Sequence, residues 1–409
     1  MSFIAFNQHT SSQKSLHIVN CLASFFVSLI FIYFIYRLFQ TYDWGHSFTK
    51  FLCFSGLFAL ILMLFKHRHQ QDDIGNILLI TECLLALAGL AFILVRMIPV
   101  YGEFIFVPPT VDIGYTTEHA AKQFFLFGQN PYLSQDINVR PELAPKHRGF
   151  HYGPGMLLGY APAAFFPDIG YKAMSLLYFI IASISLSMLV FNNIKKKGCW
   201  QVISTILITL VLFLLPERLW YEVFKVGAND IYPVALLLLG IVCVQKEQWL
   251  FAGILMGLSI ASKFSPAAFL LIMFLRKDIQ RNFFIGCVLG IMPLIVFLAW
   301  DYHAIMANVF ILRMSLEFDS TSLYSITPDT LHVLFPLVQF CAVLYFIVRN
   351  VNRTLYSEEI LVCFTLLLIV IEVSFQEMHA NHLIWFYPFI AFIVGTHRHR
   401  LFLTKGFVS

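Results

Sequence analysis

Of the 409 residues, 59% are hydrophobic and 12% charged, with a mean hydropathy of +0.77; soluble globular domains carry about 25% charged residues, so a water-soluble fold is excluded. The formal net charge of +4 sits in short basic stretches with no clustered stripe beyond Lys195–Lys197, so nucleic acid is not an expected partner. The eight cysteines all fall within or at the ends of apolar runs, where a free thiol packs as a small hydrophobe, so neither a disulfide framework nor a zinc site is expected.

In chain order, a polar stretch of about twenty residues precedes the first apolar run, and no small-residue cleavage site follows it. That run reads as a retained anchor. Apolar runs follow at 17–39, 48–65, 77–97, 170–191, 200–215, 231–245, 249–262, 266–276, 283–300, 329–348, 358–374 and 382–396. Since a span needs about 20 residues, they predict an all-α polytopic membrane protein of about twelve transmembrane helices. The runs 249–262 and 266–276 are too short to cross when straight and read as broken helices that meet inside protein.

Lys and Arg collect at 66–68, 195–197, 246, 276–281, 349–353 and 398–405, and these alternate along the chain so as to fall on one side. By the positive-inside rule that side is the cytoplasm and holds both termini; the loops 98–168, 216–230, 301–328 and 375–381 face the other way. No repeat, low-complexity tract or soluble domain interrupts the chain, so 1–409 reads as one membrane domain with 98–168 as an external loop subdomain.

That loop is the most polar part of the chain, with carboxylates (Asp112, Glu118, Asp136), bases (His119, Lys122, Arg140, Arg148, His151) and aromatics beside the bilayer. Asp112 stands where an N-cap belongs, a helix is expected over 113–127, Gly128 is its stop, and Asn130-Pro131 turns the chain. Polar first turns and the bulk of Phe124, Phe125 and Phe127 suit a helix lying along the membrane surface. Residues 129–149 read as an irregular cover. In FHYGPGMLLGYAPAAFFP, Gly153, Pro154, Gly155, Gly159 and Pro162 preclude a long helix, so this stretch is expected to be interfacial or re-entrant.

Four polar features elsewhere each carry a functional and a plain reading. Lys263, between two short apolar runs, binds a phosphate or snorkels to the interface. Arg313, in VFILRMSLEF, does the same or anchors the interface by pairing with Glu317. His379 and His382 share a helical face, where they hold sugar hydroxyls or a phosphate, or cap the membrane interface; two histidines without a third ligand do not make a zinc site. Asn229-Asp230 contacts an acceptor or lipid head, or caps the following helix. Glu118 and His119 read first as solvated loop residues, although His119 shares the helix face of Asp112 after two turns. Phe150, Tyr152 and Tyr160 could stack on a sugar or line a lipid groove.

The order Asp112, Tyr115, Ala120-Ala121, Gly128, Asn130-Pro131-Tyr132 and Tyr152-Gly153-Pro154 resembles the first external loop of the GT-C glycosyltransferases, and most closely glycosyltransferase family 87, whose members are mannosyltransferase-like. WLFAGILMGLSIASKFSP, with Gly257-Leu258, Lys263 and Pro266, and QEMHANHLIWFYP, with His379, His382, Trp385 and Pro388, are similar to two later stretches of that family. Two spans precede the one leading into the Asp loop, and His379 and His382 are separated rather than adjacent, unlike the family pattern.

The resemblance implies a GT-C-like fold and a multi-pass membrane enzyme, and with nothing in the sequence resembling an endoplasmic-reticulum signal the expected compartment is a cell inner membrane. It would move a sugar, mannose by the resemblance, from a polyprenyl-phosphate donor to a hydroxyl of a glycolipid or glycan acceptor on the non-cytoplasmic face. Membrane lipids are then the remaining partners. Such chemistry needs a carboxylate base, cations for the departing phosphate and a groove for the prenyl chain. The resemblance makes Asp112 the base and brings Tyr115, Tyr152, Lys263, His379 and His382 to the substrates; Glu118, His119, Asn229, Asp230 and Arg313 are added as substrate contacts from their own positions and chemistry. With scattered external carboxylates, neither a metal nor another cofactor is expected. The bland alternative for Asp112 is helix capping. For the whole chain it is a multi-pass secondary transporter of a lipid or polar solute, disfavoured by the absence of internal two-fold repetition. A glycan polymerase or ligase would carry an arginine-rich later loop, and a scaffold has no use for polar groups gathered at one face.

Overall fold

In the computed structural model, the described residues are 72–105, 112–133, 149–166, 169–273, 279–311, 327–332, 334–350, 357–373 and 380–401. They form helices α1 (Asp72–Phe104), α2 (Asp112–Phe127), α3 (Gly155–Gly159), α4 (Ala161–Phe165), α5 (Gly170–Ile194), α6 (Cys199–Leu214), α7 (Glu217–Tyr221), α8 (Ile231–Gln245), α9 (Trp249–Ser262), α10 (Ala267–Met273), α11 (Arg281–Trp300), α12 (Tyr302–Ile305), α13 (Asp329–His332), α14 (Leu334–Asn350), α15 (Ser357–Val373) and α16 (Tyr387–Leu401). Short π turns at Glu222–Val226 and Met306–Ile311 and a 3-10 turn at Ala380–Trp385 join them. The first two expected runs lie outside the described residues; the described parts of the later ones are helical, 329–348 falling on two helices and 382–396 on a 3-10 turn and a helix.

Among the described residues, three helices are long and apolar enough to cross a membrane: Glu82–Phe104 within α1, α5 and α11, of 23, 25 and 20 residues. A fourth span results if α6 and Glu217–Val226, bent by 63°, count as one. The protein is therefore an all-helical, multi-pass membrane protein. The remaining apolar helices are shorter, α8 and α9 among them.

Helix directions follow from paired contacts. Ser204 donates to Glu82 at 2.6 Å, and Arg96 meets Glu217 at 3.4 Å, so α6 and its continuation rise alongside α1 in the same direction. Tyr171 donates to the Gly227 carbonyl at 2.5 Å and Asn192 to Gln245 at 3.1 Å, which sets α5 parallel to α8.

The tightest pair is α9 with α11. Gly253 and Gly257 of α9 lie against Gly286 and Gly290 of α11, and a Cβ on any of the four would enter the backbone of the facing helix. This is small-xxx-small packing, which substitutes close backbone contact for the hydrophobic driving force that lipid does not supply. Contact numbers rise together, so α9 and α11 run parallel. The chain between them, which includes α10, must therefore return over the 14-residue length of α9, about 21 Å.

As a result, the end of α1, the starts of α5 and α8, and the ends of α9 and α11 gather at one end of the bundle. There the chain folds its irregular parts. α2 ends as its sequence predicts: Gly128 takes φ 62°, its N–H donates to Phe124 O at 3.1 Å, Gln129 N–H reaches Gln123 O at 3.0 Å, and Asn130 Oδ1 accepts from Tyr132 N–H at 3.0 Å. The expectation of a surface-lying helix is corrected, because Thr116, Thr117, Glu118, Ala120, Ala121 and Gln123 are all buried. α2 is packed round most of its circumference, on α3 and α4 among others. The Gly/Pro stretch forms two one-turn helices, α3 and α4, as its composition requires.

Candidate active site

The site begins with a close approach. Gly153 N–H donates to Ser262 O at 3.0 Å, and a Cβ on Gly153 or Gly155 would strike the last turn of α9. Glycine is therefore what lets residues 150–155 lie on the end of α9. Tyr132 holds the strand of chain from the other side, its hydroxyl donating to Tyr152 O at 2.7 Å. Burial pushes the Tyr132 phenol well above its ordinary range, so it remains a donor.

Past Ser262 the helix stops, and Lys263 adopts an extended backbone (φ −148°, ψ 148°). Its ammonium lies 4.9 Å from the centre of the Tyr152 ring and forms an ion pair with Asp230 Oδ1. The same oxygen accepts from Trp385 Nε1 at 2.9 Å. Asp230 occupies the N-cap position of α8 but makes no side-chain cap bond; its carboxylate serves Lys263 and Trp385 instead. The side chains of Asp230 and Lys263 are 0% and 10% exposed, so this is a desolvated pair in which loss of either member strands a charge. Asn229 turns the other way and donates to Thr117 Oγ1 of α2 at 2.9 Å, tying α2 to the start of α8.

A cavity of about 470 Å³ opens on this pair, within the range of small-ligand sites. Its polar lining residues include His151, Tyr152, Ser262, Lys263, Asp230 and His382, and its apolar ones include Phe264, Ala268, Val309, Val343 and Ile371. An ammonium backed by a carboxylate, with an imidazole and two aromatic rings in the same lining, suits a polar head, and the apolar lining residues suit a hydrocarbon chain.

Among the residues picked out from sequence, Tyr152, Asp230, Lys263 and His382 come together here, with Asn229 one residue away. Tyr115, Glu118 and His119 do not line this cavity. Tyr115 stacks on His119 with centroids 4.7 Å apart, and Glu118 pairs with Lys122 at 2.6 Å rather than facing solvent. Asp112 opens α2, but its side chain, like Arg140, Arg148, Asp136, Arg313 and His379, lies outside the described residues. Phe150 and Tyr160 are packed in the core, Tyr160 stacked on Tyr171 at 4.5 Å, and neither lines the cavity. Sequence reasoning gave no role to Ser262 and no site role to Trp385; the legible hint for Trp385 was its place in the stretch QEMHANHLIWFYP that is similar to the family. Among the described residues no three His, Cys, Asp or Glu side chains gather as metal ligands would.

Fold and site thus define a helical membrane protein with a charged, aromatic-walled cavity at a helix break. The model of glycosyltransferase family 87 matches residues 150–370, more than half of the chain, and the chain belongs to that family and is a glycosyltransferase. The matched range contains Tyr152, Asn229, Asp230, Lys263 and Arg313, and leaves out Asp112, Tyr115, Glu118, His119, His379 and His382. No curated protein matches the chain.

Proposed function

We propose that this glycosyltransferase moves a sugar, mannose by its resemblance to the family's mannosyltransferase-like members, from a polyprenyl-phosphate donor to a hydroxyl of a glycolipid or glycan acceptor. The reaction takes place on the non-cytoplasmic face of a cell inner membrane, in a GT-C-like bundle of about twelve spans with both termini cytoplasmic. The observation that carries this reading is the Lys263–Asp230 pair in the lining of one cavity that also carries apolar side chains.

An ammonium has three N–H donors, so Lys263 can serve Asp230 and a phosphate oxygen together. Asp230 keeps the cation charged and fixed while the site is empty, and Trp385 keeps Asp230 in place. As the sugar leaves, negative charge grows on the bridging phosphate oxygen, and a pre-set cation in a dry site lowers that barrier without reorganising. His382 and Tyr152 bound the same space and hold the sugar or the phosphate; the apolar lining residues take the first prenyl units. Arg313 and His379 are assigned to the same substrates.

Asp112 is assigned as the base that takes the acceptor proton. Tyr115 and His119 share its side of α2, at about one and two turns, and Glu118, held by Lys122, borders that face. Thr117 faces Asn229, about 140° round the helix from Asp112. The acceptor is therefore placed along the Asp112 face of α2, and the donor along α9.

The test is sugar transfer from a short-chain polyprenyl-phosphate mannose by purified protein in detergent, wild type beside Asp112→Asn. Wild type transfers and the variant is nearly inactive under this reading. Full activity in the variant removes Asp112 as base, and no transfer from mannosyl or glucosyl donors, with no binding of polyprenyl phosphate, removes the donor class.

A further inference from the structure

The counter-ion of Lys263 has a neighbour that faces the other way. Asp230 takes the Lys263 ammonium and the Trp385 indole N–H. Asn229, one residue earlier, donates from Nδ2 to Thr117 Oγ1 of α2 at 2.9 Å. Thr117 in turn donates to the carbonyl of Ile113 at 2.7 Å, and Thr116 donates to the same oxygen at 3.2 Å. Ile113 follows Asp112 directly in the chain. An unbroken run of hydrogen bonds and covalent bonds therefore leads from the Lys263 ammonium, through two adjacent residues at the start of α8, to the first turn of α2.

This link is dry and stiff. Asn229, Asp230 and Thr117 are each 0% exposed, and a hydrogen bond in such surroundings is stronger than in water and costly to leave unmade. The backbone that parts the two α8 side chains is itself held. The Asn229 carbonyl accepts from Tyr232 N–H at 3.2 Å and the Asp230 carbonyl from Val234 N–H at 3.3 Å. Just before them Gly227 turns the chain at φ 89°, with its carbonyl accepting from the Tyr171 hydroxyl at 2.5 Å.

Buried amide–hydroxyl bonds also serve as plain glue between the helices of membrane bundles. What sets this one apart is where its two ends lie. One is the residue beside the counter-ion of the donor cation, and the other is the residue whose hydroxyl fastens the turn that opens with Asp112. Glue alone would serve equally well farther along α2, where it would hold the helix without fixing its first turn.

We propose that Asn229 is a positioning residue rather than a substrate contact: through Thr117 it sets the distance between the first turn of α2 and the Lys263–Asp230 pair. This rests on the reading of Asp112 as the base and of Lys263 as the phosphate cation, because the distance then fixed is that between the acceptor hydroxyl and the anomeric carbon of the donor. Attack requires those atoms about 3–3.5 Å apart, and a displacement of about 1 Å costs on the order of 10²-fold in rate. Breaking the link leaves both substrates bound and slows the step that joins them.

The test sets Thr117→Val, Thr117→Ser, Asn229→Leu and the double variant Thr117→Val/Asn229→Leu beside wild type and Asp112→Asn, all as the full chain in detergent. Sugar transfer gives kcat and the acceptor KM, labelled short-chain polyprenyl phosphate gives donor affinity, and melting temperature reports stability. Thr117→Val, which keeps the shape and loses the hydroxyl, lowers kcat by at least about tenfold with donor affinity within about twofold of wild type. Thr117→Ser keeps the hydroxyl and most of kcat. The double variant replaces both polar partners with apolar groups of similar shape, so it regains the melting temperature lost in the single variants while kcat stays low; glue would regain both. If a single variant does not fold, the double variant decides. With Asp112→Asn inactive, wild-type kcat in Thr117→Val or in the double variant overturns the proposal, as does a loss confined to donor affinity. An active Asp112→Asn removes the base, and the proposal with it, so the two failures are told apart.

Discussion

Two ion pairs at one end of the bundle, Lys263–Asp230 and Lys122–Glu118, differ in what is required to make them. Glu118 and Lys122 are four residues apart on α2, with side chains 10% and 26% exposed; any helix with that spacing brings such residues together, for about 0.2–0.5 kcal/mol. Asp230 and Lys263 are 33 residues apart and meet only because α8 starts where α9 ends. Their desolvation costs several kcal/mol and must be offset by close geometry and further hydrogen bonds. The first pair follows from local sequence, and the second is imposed by the fold. A fold that holds a nearly dry pair open to a cavity has placed its charge where a ligand can reach it.

Substitutions can sharpen that contrast. The largest expected effect is on the α2 side, where Asp112→Asn lowers sugar transfer by about 10²–10⁴-fold. Asparagine caps a helix about as well as aspartate, so an unchanged melting temperature separates the base role from capping. Next, Lys263→Met lowers transfer by about 10²–10³-fold and destabilises the protein by about 3–5 kcal/mol, because Asp230 is left buried without its cation. Lys263→Met/Asp230→Leu recovers most of the stability and none of the transfer; recovery of both would make the pair purely structural.

Trp385→Phe removes one N–H from Asp230, a hydrogen bond to a charged group worth about 1.5–3 kcal/mol. Transfer is expected to fall about tenfold, with the loss in kcat. Glu118→Gln is the mildest change, with less than about a twofold effect on kcat and a small rise in KM for the acceptor, since only a local pair is lost.

Hydropathy and punctuation made the helices legible. The runs at 231–245 and 249–262 coincide with α8 and α9, and Gly128 ends α2 in the left-handed conformation that its sequence announces. Lys263 was legible as a charge too costly to sit between apolar runs without a reason. Its partner was not, because the choice between Asp230 as a helix cap and Asp230 as a counter-ion is made by a packing of α8 on α9 that hydropathy does not report. The burial of α2 was hidden for the same reason. Glu118 reads as a solvated polar residue until Lys122 supplies its partner, and the bond from Asn229 to Thr117 has no signal in the sequence. Trp385 was visible only as one residue of a stretch similar to the family, and its contact with Asp230 is what gives it a place in the site.

The central claim is that the Lys263–Asp230 cavity receives the donor phosphate, and binding tests it without requiring an acceptor. Labelled short-chain polyprenyl phosphate would be titrated into wild type, Asp112→Asn and Lys263→Met/Asp230→Leu, each shown to be folded. We expect Asp112→Asn to bind like wild type and the double variant to lose at least tenfold in affinity. Equal binding by all three would contradict the account.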